Sequence, residues 1–260
     1  VPFRGMNGVY PELDKAYIFK FLRYMARNQW NMLMQHVWRW DACAWRDELL
    51  RFAKVCAVEF NIGGHSMENF IPESLFETHP EFFGMRDGKR CIRGAAELPD
   101  LGIISENAPI QPCFTNPDAC KFIASNIIHY IAAHPEIKIF SLWPHDGANN
   151  WCQCPKCIKT TPYDQMLLLA GKILELAPRP VYLEVLAYCS LLTIPRKTEN
   201  LERIYTLFCP YLRHYKYQFD APGYPLDKQR LGRSYPTPDP VNPDDDRDYG
   251  LLLKDWQEYL

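Results

Sequence analysis

Short apolar runs alternate with amphipathic stretches along most of this chain, and that alternation restricts the fold more than any other feature. Residues 3–6 read as a short strand and residues 13–28 as a helix, with Ile18, Leu22, Met25 and Ala26 at helical spacing. Residues 31–38 return to a strand-like run, 45–60 are helical, and 61–65 form a short run containing a Gly-Gly step. Asn116-Pro117-Asp118 is a helix start: Asn as cap, Pro in the first turn, and Asp at the positive end of the dipole. That helix runs to about His134. A buried strand follows at 137–142, a helix at 161–177, and strands at 181–188 and 204–209. Repeated strand-helix alternation calls for parallel strands joined by helical crossovers. The expected fold is α/β, a TIM-type (β/α)8 barrel of which these residues supply about six βα units, the remaining two lying beyond residue 260. A doubly wound open sheet competes with it, but no Gly-rich phosphate loop follows the first strand. The reading treats residues 1–260 as one domain. It has an irregular insertion at about 72–112 and a loop-rich segment at 216–260 that ends in an amphipathic helix.

Composition narrows the function classes. At 47% hydrophobic the chain can bury a sizeable core. With 29 basic and 31 acidic residues it offers no electrostatic reason to bind nucleic acid or an anionic membrane. It contains no apolar run long enough to span a bilayer. Trp and Tyr are plentiful, and beyond filling a core they supply flat faces for sugar rings.

Active sites of (β/α) barrels gather at the C-terminal ends of strands. Reading those ends in turn gives Arg4; His36, Trp38 and Arg39; His65 and Glu68; His145 and Asp146; Tyr188; and Tyr211 with Arg213. Such a succession of polar and aromatic groups favours a functional mouth over loops that merely happen to be polar. Asp146 precedes Gly147, where a backbone can approach closely, although Asp-Gly pairs also simply cap turns. Glu184 interrupts an otherwise apolar strand, and its period-2 neighbours are Tyr182, Leu186 and Tyr188. Burial would raise its pKa toward the range of a general acid. The alternative is a Glu paired with an inward cation, or one too deep to meet substrate.

Cys152-Gln153-Cys154-Pro155-Lys156-Cys157 is a C-x-C-x-x-C run in the loop after Asp146, and Cys113 lies just before the preceding helix. Four thiolates could close a structural zinc site. Disulfides and reduced thiols remain open alternatives. Cys43, Cys56, Cys91, Cys120, Cys189 and Cys209 read as inert core.

Several segments taken together are similar to the bacterial family described as domain of unknown function 4838, part of which is glycoside hydrolase family 163. These are Phe3-Arg4-Gly5, His79-Pro80-Glu81-Phe82-Phe83, Asp87-Gly88-Lys89-Arg90, Cys113-Phe114-Thr115-Asn116-Pro117, His145-Asp146-Gly147 leading into the cysteine run, and Leu186-Ala187-Tyr188. The resemblance spans about residues 1–215. It implies a barrel related to family 20 hexosaminidases and a periplasmic, cell-surface or secreted location. The implied activity is that of an endo-β-N-acetylglucosaminidase acting on a glycan or glycoprotein, with no cofactor for catalysis. In such enzymes the substrate's own 2-acetamido group is the nucleophile. Carried over by position, Asp146 would orient the acetamide and Glu184 would be the general acid/base. Arg4, His65 and His145 would bind hydroxyls, Trp38 or Trp143 would stack on a ring, and His36, Tyr188 and Tyr211 would complete the substrate-binding set. Two competing readings are a non-catalytic glycan-binding module on a degenerate barrel and a metal-dependent hydrolase built on the cysteines.

Overall fold

A computed structural model describes residues 4–7, 14–98, 103–192, 194–195, 201–209 and 249–259. Strand β1 (Gly5–Asn7) leads to helix α1 (Lys15–Arg27), which is capped by the Asp14 carboxylate accepting from the Ala16 N–H at 3.0 Å. Ile18, Leu22 and Met25 form the buried stripe of α1. Strand β2 (Met32–His36) passes directly into a short helix, α2 (Val37–Ala42), which the sequence reading had merged with the strand. The expected helix over 45–60 also divides. Helix α3 (Arg46–Val55) stops before a left-handed turn at Ala57, and β3 (Glu59–Gly64) begins two residues later. Phe60 and Ile62 are apolar enough for either element, and the sheet decides by burying both.

Residues 72–112 hold short 3₁₀ turns and two antiparallel hairpins. The first pairs β4 (Met85–Arg86) with β5 (Lys89–Arg90) across Asp87-Gly88, both at positive φ. The second pairs β6 (Arg93–Leu98) with β7 (Ile103–Pro109). Helix α4 (Pro117–Ala133) then starts where the Asn-Pro-Asp signal places it. The Asn116 side chain accepts from the Asp118 and Ala119 N–H groups. Strand β8 (Ile139–Leu142), helix α5 (Pro162–Leu176), strands β9 (Tyr182–Ala187) and β10 (Ile204–Phe208), and helix α6 (Tyr249–Tyr259) complete the order.

β1, β2, β3, β8, β9 and β10 form one sheet in that order, with every pairing parallel. Among the described residues the strand order never reverses, as it would at the switch point of a doubly wound sheet. The architecture is α/β and singly wound. Its centre is the buried run Ile139–Leu142 together with Val185 and Leu186. Trp256 fastens α6 to this body by donating its indole N–H to the Leu192 carbonyl at 2.8 Å and packing on Tyr163. Among the described residues no helix is long and apolar enough to cross a membrane.

Candidate functional site

Because the strands are parallel and in register, their C-terminal ends assemble one layer from distant sequence. His36 lies opposite Gly63, Gly63 opposite Ser141, and Ser141 opposite Glu184. Glycine is required at the end of β3. A Cβ on Gly63 would come within 2.2 Å of the Ser141 carbonyl, and one on Gly64 within 2.3 Å of the His36 ring. Both glycines also have positive φ.

Glu184 is buried, with 7% of its surface exposed, and among the described residues no cation pairs with it. Its carboxyl touches the Asn61 amide nitrogen at 2.9 Å, the Ser141 hydroxyl at 3.0 Å and the Trp143 indole nitrogen at 3.1 Å. Ser141 Oγ also meets Asn61 Oδ1 at 2.7 Å, so Asn61, Ser141 and Glu184 form a closed ring of three contacts. The Asn61 amide donates to the Glu184 carboxyl, and the Ser141 hydroxyl faces two acceptors, Asn61 Oδ1 and Glu184 Oε1. Burial pushes the Glu184 pKa up, against the opposing pull of the Ser141, Trp143 and Asn61 hydrogen bonds. Burial thus favours the neutral form of Glu184 relative to a solvated carboxyl.

Above it lies a cluster of rings. Trp143 is 4% exposed, with His65 and His36 edge-on at centroid distances of 5.1 and 6.1 Å. The indole thus has the two histidines against it and donates its N–H to Glu184. Trp38 on α2 is 45% exposed beside His36 and is the indole with an open face, although Arg39 sits 4.3 Å from its ring centre. His65 donates Nδ1–H to the Pro144 carbonyl at 2.7 Å, which fixes the tautomer and turns Nε2 toward Asp146 Oδ1, 3.8 Å away. Burial, together with His65 and Arg39, lowers the pKa of His36 to about 4, and among the described residues the buried Nδ1 of His36 has no hydrogen-bond partner. Burial, His65 and Arg93 likewise lower that of His145 to about 4.

Asp146 is half-exposed and opens onto a pocket of about 350 Å³ shared with His65, Glu68, Arg93 and His145. Gln111 holds the backbone of this loop by accepting from His145 N and donating to His145 O. Asn150 donates to the Asp146 carbonyl. A larger cavity, about 620 Å³, lies at the opposite end of the sheet beside Asn31, Glu59 and Lys138. It is away from the strand ends where parallel sheets place chemistry.

The structure thus brings together His36, Trp38, His65, Trp143, His145, Asp146 and Glu184. Tyr188, half-buried, follows β9 directly. Arg4 does not belong to this group. It precedes β1, pairs by backbone with Asn31 ahead of β2, and is exposed at the other end of the sheet. Tyr211 lies outside the described residues. Glu184 does not line the pocket; Asp146 and Glu68 do. The sequence reading missed Asn61, Ser141 and Gln111. Asn61 and Ser141 carry the signal that marked Glu184, a polar residue inside an apolar strand. None of the four clustered cysteines lines the pocket.

The family model for the domain of unknown function (DUF4838) matches residues 11–258. The chain belongs to this family. No curated protein sequence matches it. Among solved structures, a β-galactosidase from the psychrophilic Marinomonas ef1 is similar at 12% identity with a TM-score of 0.39, over 72% of this chain and 38% of that one. This member of the DUF4838 family therefore spans less than half the length of that enzyme.

Proposed function

We propose that the chain is a glycoside hydrolase on a (β/α)8-type barrel, acting on N-acetylglucosamine-containing glycans as an exported endo-β-N-acetylglucosaminidase. The observation that carries this is the buried Glu184 carboxyl beneath Trp143, with no cation beside it among the described residues and its pKa raised by burial. A carboxyl with a raised pKa is what a general acid requires. Asp146, half-exposed beside His65, is placed to accept from an acetamide N–H and to stabilise the charge that develops when the acetamide oxygen attacks the anomeric carbon. Glu184 would protonate the leaving oxygen, and as a carboxylate it would then activate the water that opens the oxazolinium. Trp38 would hold a ring face, and His65 and His145 would bind hydroxyls.

One observation favours a second reading. Glu184 lies under Trp143 and does not line the pocket, as suits a glycan-binding module whose acid is structural. Release of glycan from a complex N-glycoprotein distinguishes the two. The enzyme reading expects turnover by the parent chain, a fall of at least about 10²-fold for Asp146→Asn and Glu184→Gln, and a smaller effect for Glu68→Gln. Binding of the glycan without turnover would support the module. Loss of turnover in Glu68→Gln with retention in Glu184→Gln would move the acid role to Glu68.

A further inference from the structure

We infer that Cys113, Cys152, Cys154 and Cys157 form a closed structural zinc site that fixes the pocket loop carrying Asp146. The inference is independent of the glycosidase reading and would stand if that reading failed. All four sulfurs are buried and lie within 4.8 Å of one another. Cys113 Sγ is 3.7 Å from Cys154 Sγ and 3.8 Å from Cys157 Sγ. A zinc–sulfur bond of about 2.3 Å in a tetrahedron requires sulfur–sulfur edges of about 3.8 Å. A disulfide would bring two sulfurs to about 2.05 Å and leave the other pair apart. Here one sulfur is nearly equidistant from two others.

The surroundings suit thiolates around a dication. Cys152 Sγ accepts from the Met85 N–H at 3.3 Å and faces the Arg90 guanidinium at 3.8 Å. Cys154 Sγ accepts from the Cys157 N–H at 3.5 Å, the turn expected of a C-x-x-C grip. The Thr115 hydroxyl reaches Cys157 Sγ at 3.1 Å. These donors and one guanidinium offset the two negative charges left when four thiolates surround one Zn²⁺. Binding transfers the thiol protons to solvent, and no redox step is involved. Four protein ligands leave no open position, so the metal takes no part in catalysis.

The site joins pieces that lie far apart in the sequence. Cys113 lies just ahead of α4, and the other three cysteines lie in the loop between β8 and α5. The Met85 and Arg90 contacts add the β4–β5 hairpin. Gln153 N also donates to Met85 O, and Arg86 donates to the Asn149 carbonyl. Asp146 is at the start of this same loop, held by Asn150. Losing the metal would loosen the loop's hold on the hairpin, leaving these hydrogen bonds in place.

Elemental analysis of the full chain purified without chelator should find one zinc per chain. Replacement by Co²⁺ should give the absorption of tetrahedral thiolate-bound cobalt, with its sulfur-to-metal charge-transfer bands. Hydrogen exchange before and after chelation tests the positioning role. Amides of residues 145–157 should lose at least about 10-fold in protection while those of β3 and β8 keep theirs. Peptide mapping that finds a disulfide among the four cysteines, or a chain that neither carries zinc nor takes up cobalt, would overturn the site. Metal bound with exchange in 145–157 unaltered by chelation would overturn its role toward Asp146. Cys113→Ser should lose the cobalt spectrum, and since the parent chain carries every other readout, the test survives if that variant fails to fold.

Discussion

Replacing Glu184 with glutamine keeps a neutral polar group of the same shape in contact with Asn61 and Ser141. Replacing it with alanine leaves the Asn61 amide and the Trp143 indole N–H buried without a partner, beside a small cavity. The expected losses on urea unfolding are under about 1 kcal/mol for Glu184→Gln and about 2–4 kcal/mol for Glu184→Ala. Equal losses for the two variants would show that a neutral amide cannot take the place of the carboxyl. The direction of the pKa shift gives a second, independent check. The folded chain keeps the Glu184 proton to higher pH than the unfolded chain, which releases it at about pH 4.3. With more protons bound in the native state, this residue's contribution falls as pH rises from there through its raised folded value. Glu184→Gln should remove that fall, so its stability relative to the parent should grow with pH across that window.

At the scale of elements, two kinds of position carry the architecture. Helix starts are one. Asn116 caps α4, and Thr161 caps α5 in a reciprocal pair with Asp164. Asn116→Ala should cost about 1 kcal/mol of unfolding free energy, with Asn116→Asp recovering most of it. Recovery failing in the Asp variant would show that the Asn116 contact with the Glu81 carbonyl, not the cap, is what matters. The close strand approach at Gly63 is the other. Gly63→Ala puts a methyl group against the Ser141 carbonyl at 2.2 Å in a backbone conformation that alanine resists. It should cost more than about 2 kcal/mol and shift the NMR signals of His36, Ser141 and Glu184 together. A Gly63→Ala chain of parental stability would mean that β3 and β8 can separate without cost.

For the whole molecule, the histidines set the acid limit. His36 and His145 have pKa values lowered to about 4, so between about pH 6.5 and 4 the unfolded chain binds protons that the native state refuses. Stability should fall as pH drops through that window, while Glu184 works in the opposite sense. Glu184→Gln should therefore show a steeper acid-side loss than the parent in denaturant titrations from pH 7 to 4. Imidazole NMR titration checks the cause, since neither histidine should protonate above about pH 5 in the folded state. How much of this was legible in the sequence depends on range. Local chemistry determined the elements: the stripe Ile18, Leu22, Met25 made α1, Asn116-Pro117 started α4, and the alternation itself required parallel strands. It also singled out Asp146, Glu184 and the four cysteines as residue types out of place in their surroundings. It misplaced the boundaries at His36 and Val55, where two elements meet with no break in hydrophobicity. Only the tertiary structure decided that the sheet is singly wound, since strand order is a fact of pairing that no window of sequence contains. Only register set Asn61, Ser141 and Glu184 side by side from three separate strands, buried Trp143 under two histidines, and left Arg4 at the far end. The raised pKa of Glu184 is a property of that burial, and a hydrogen bond between residues 123 positions apart exists only once the chain has folded.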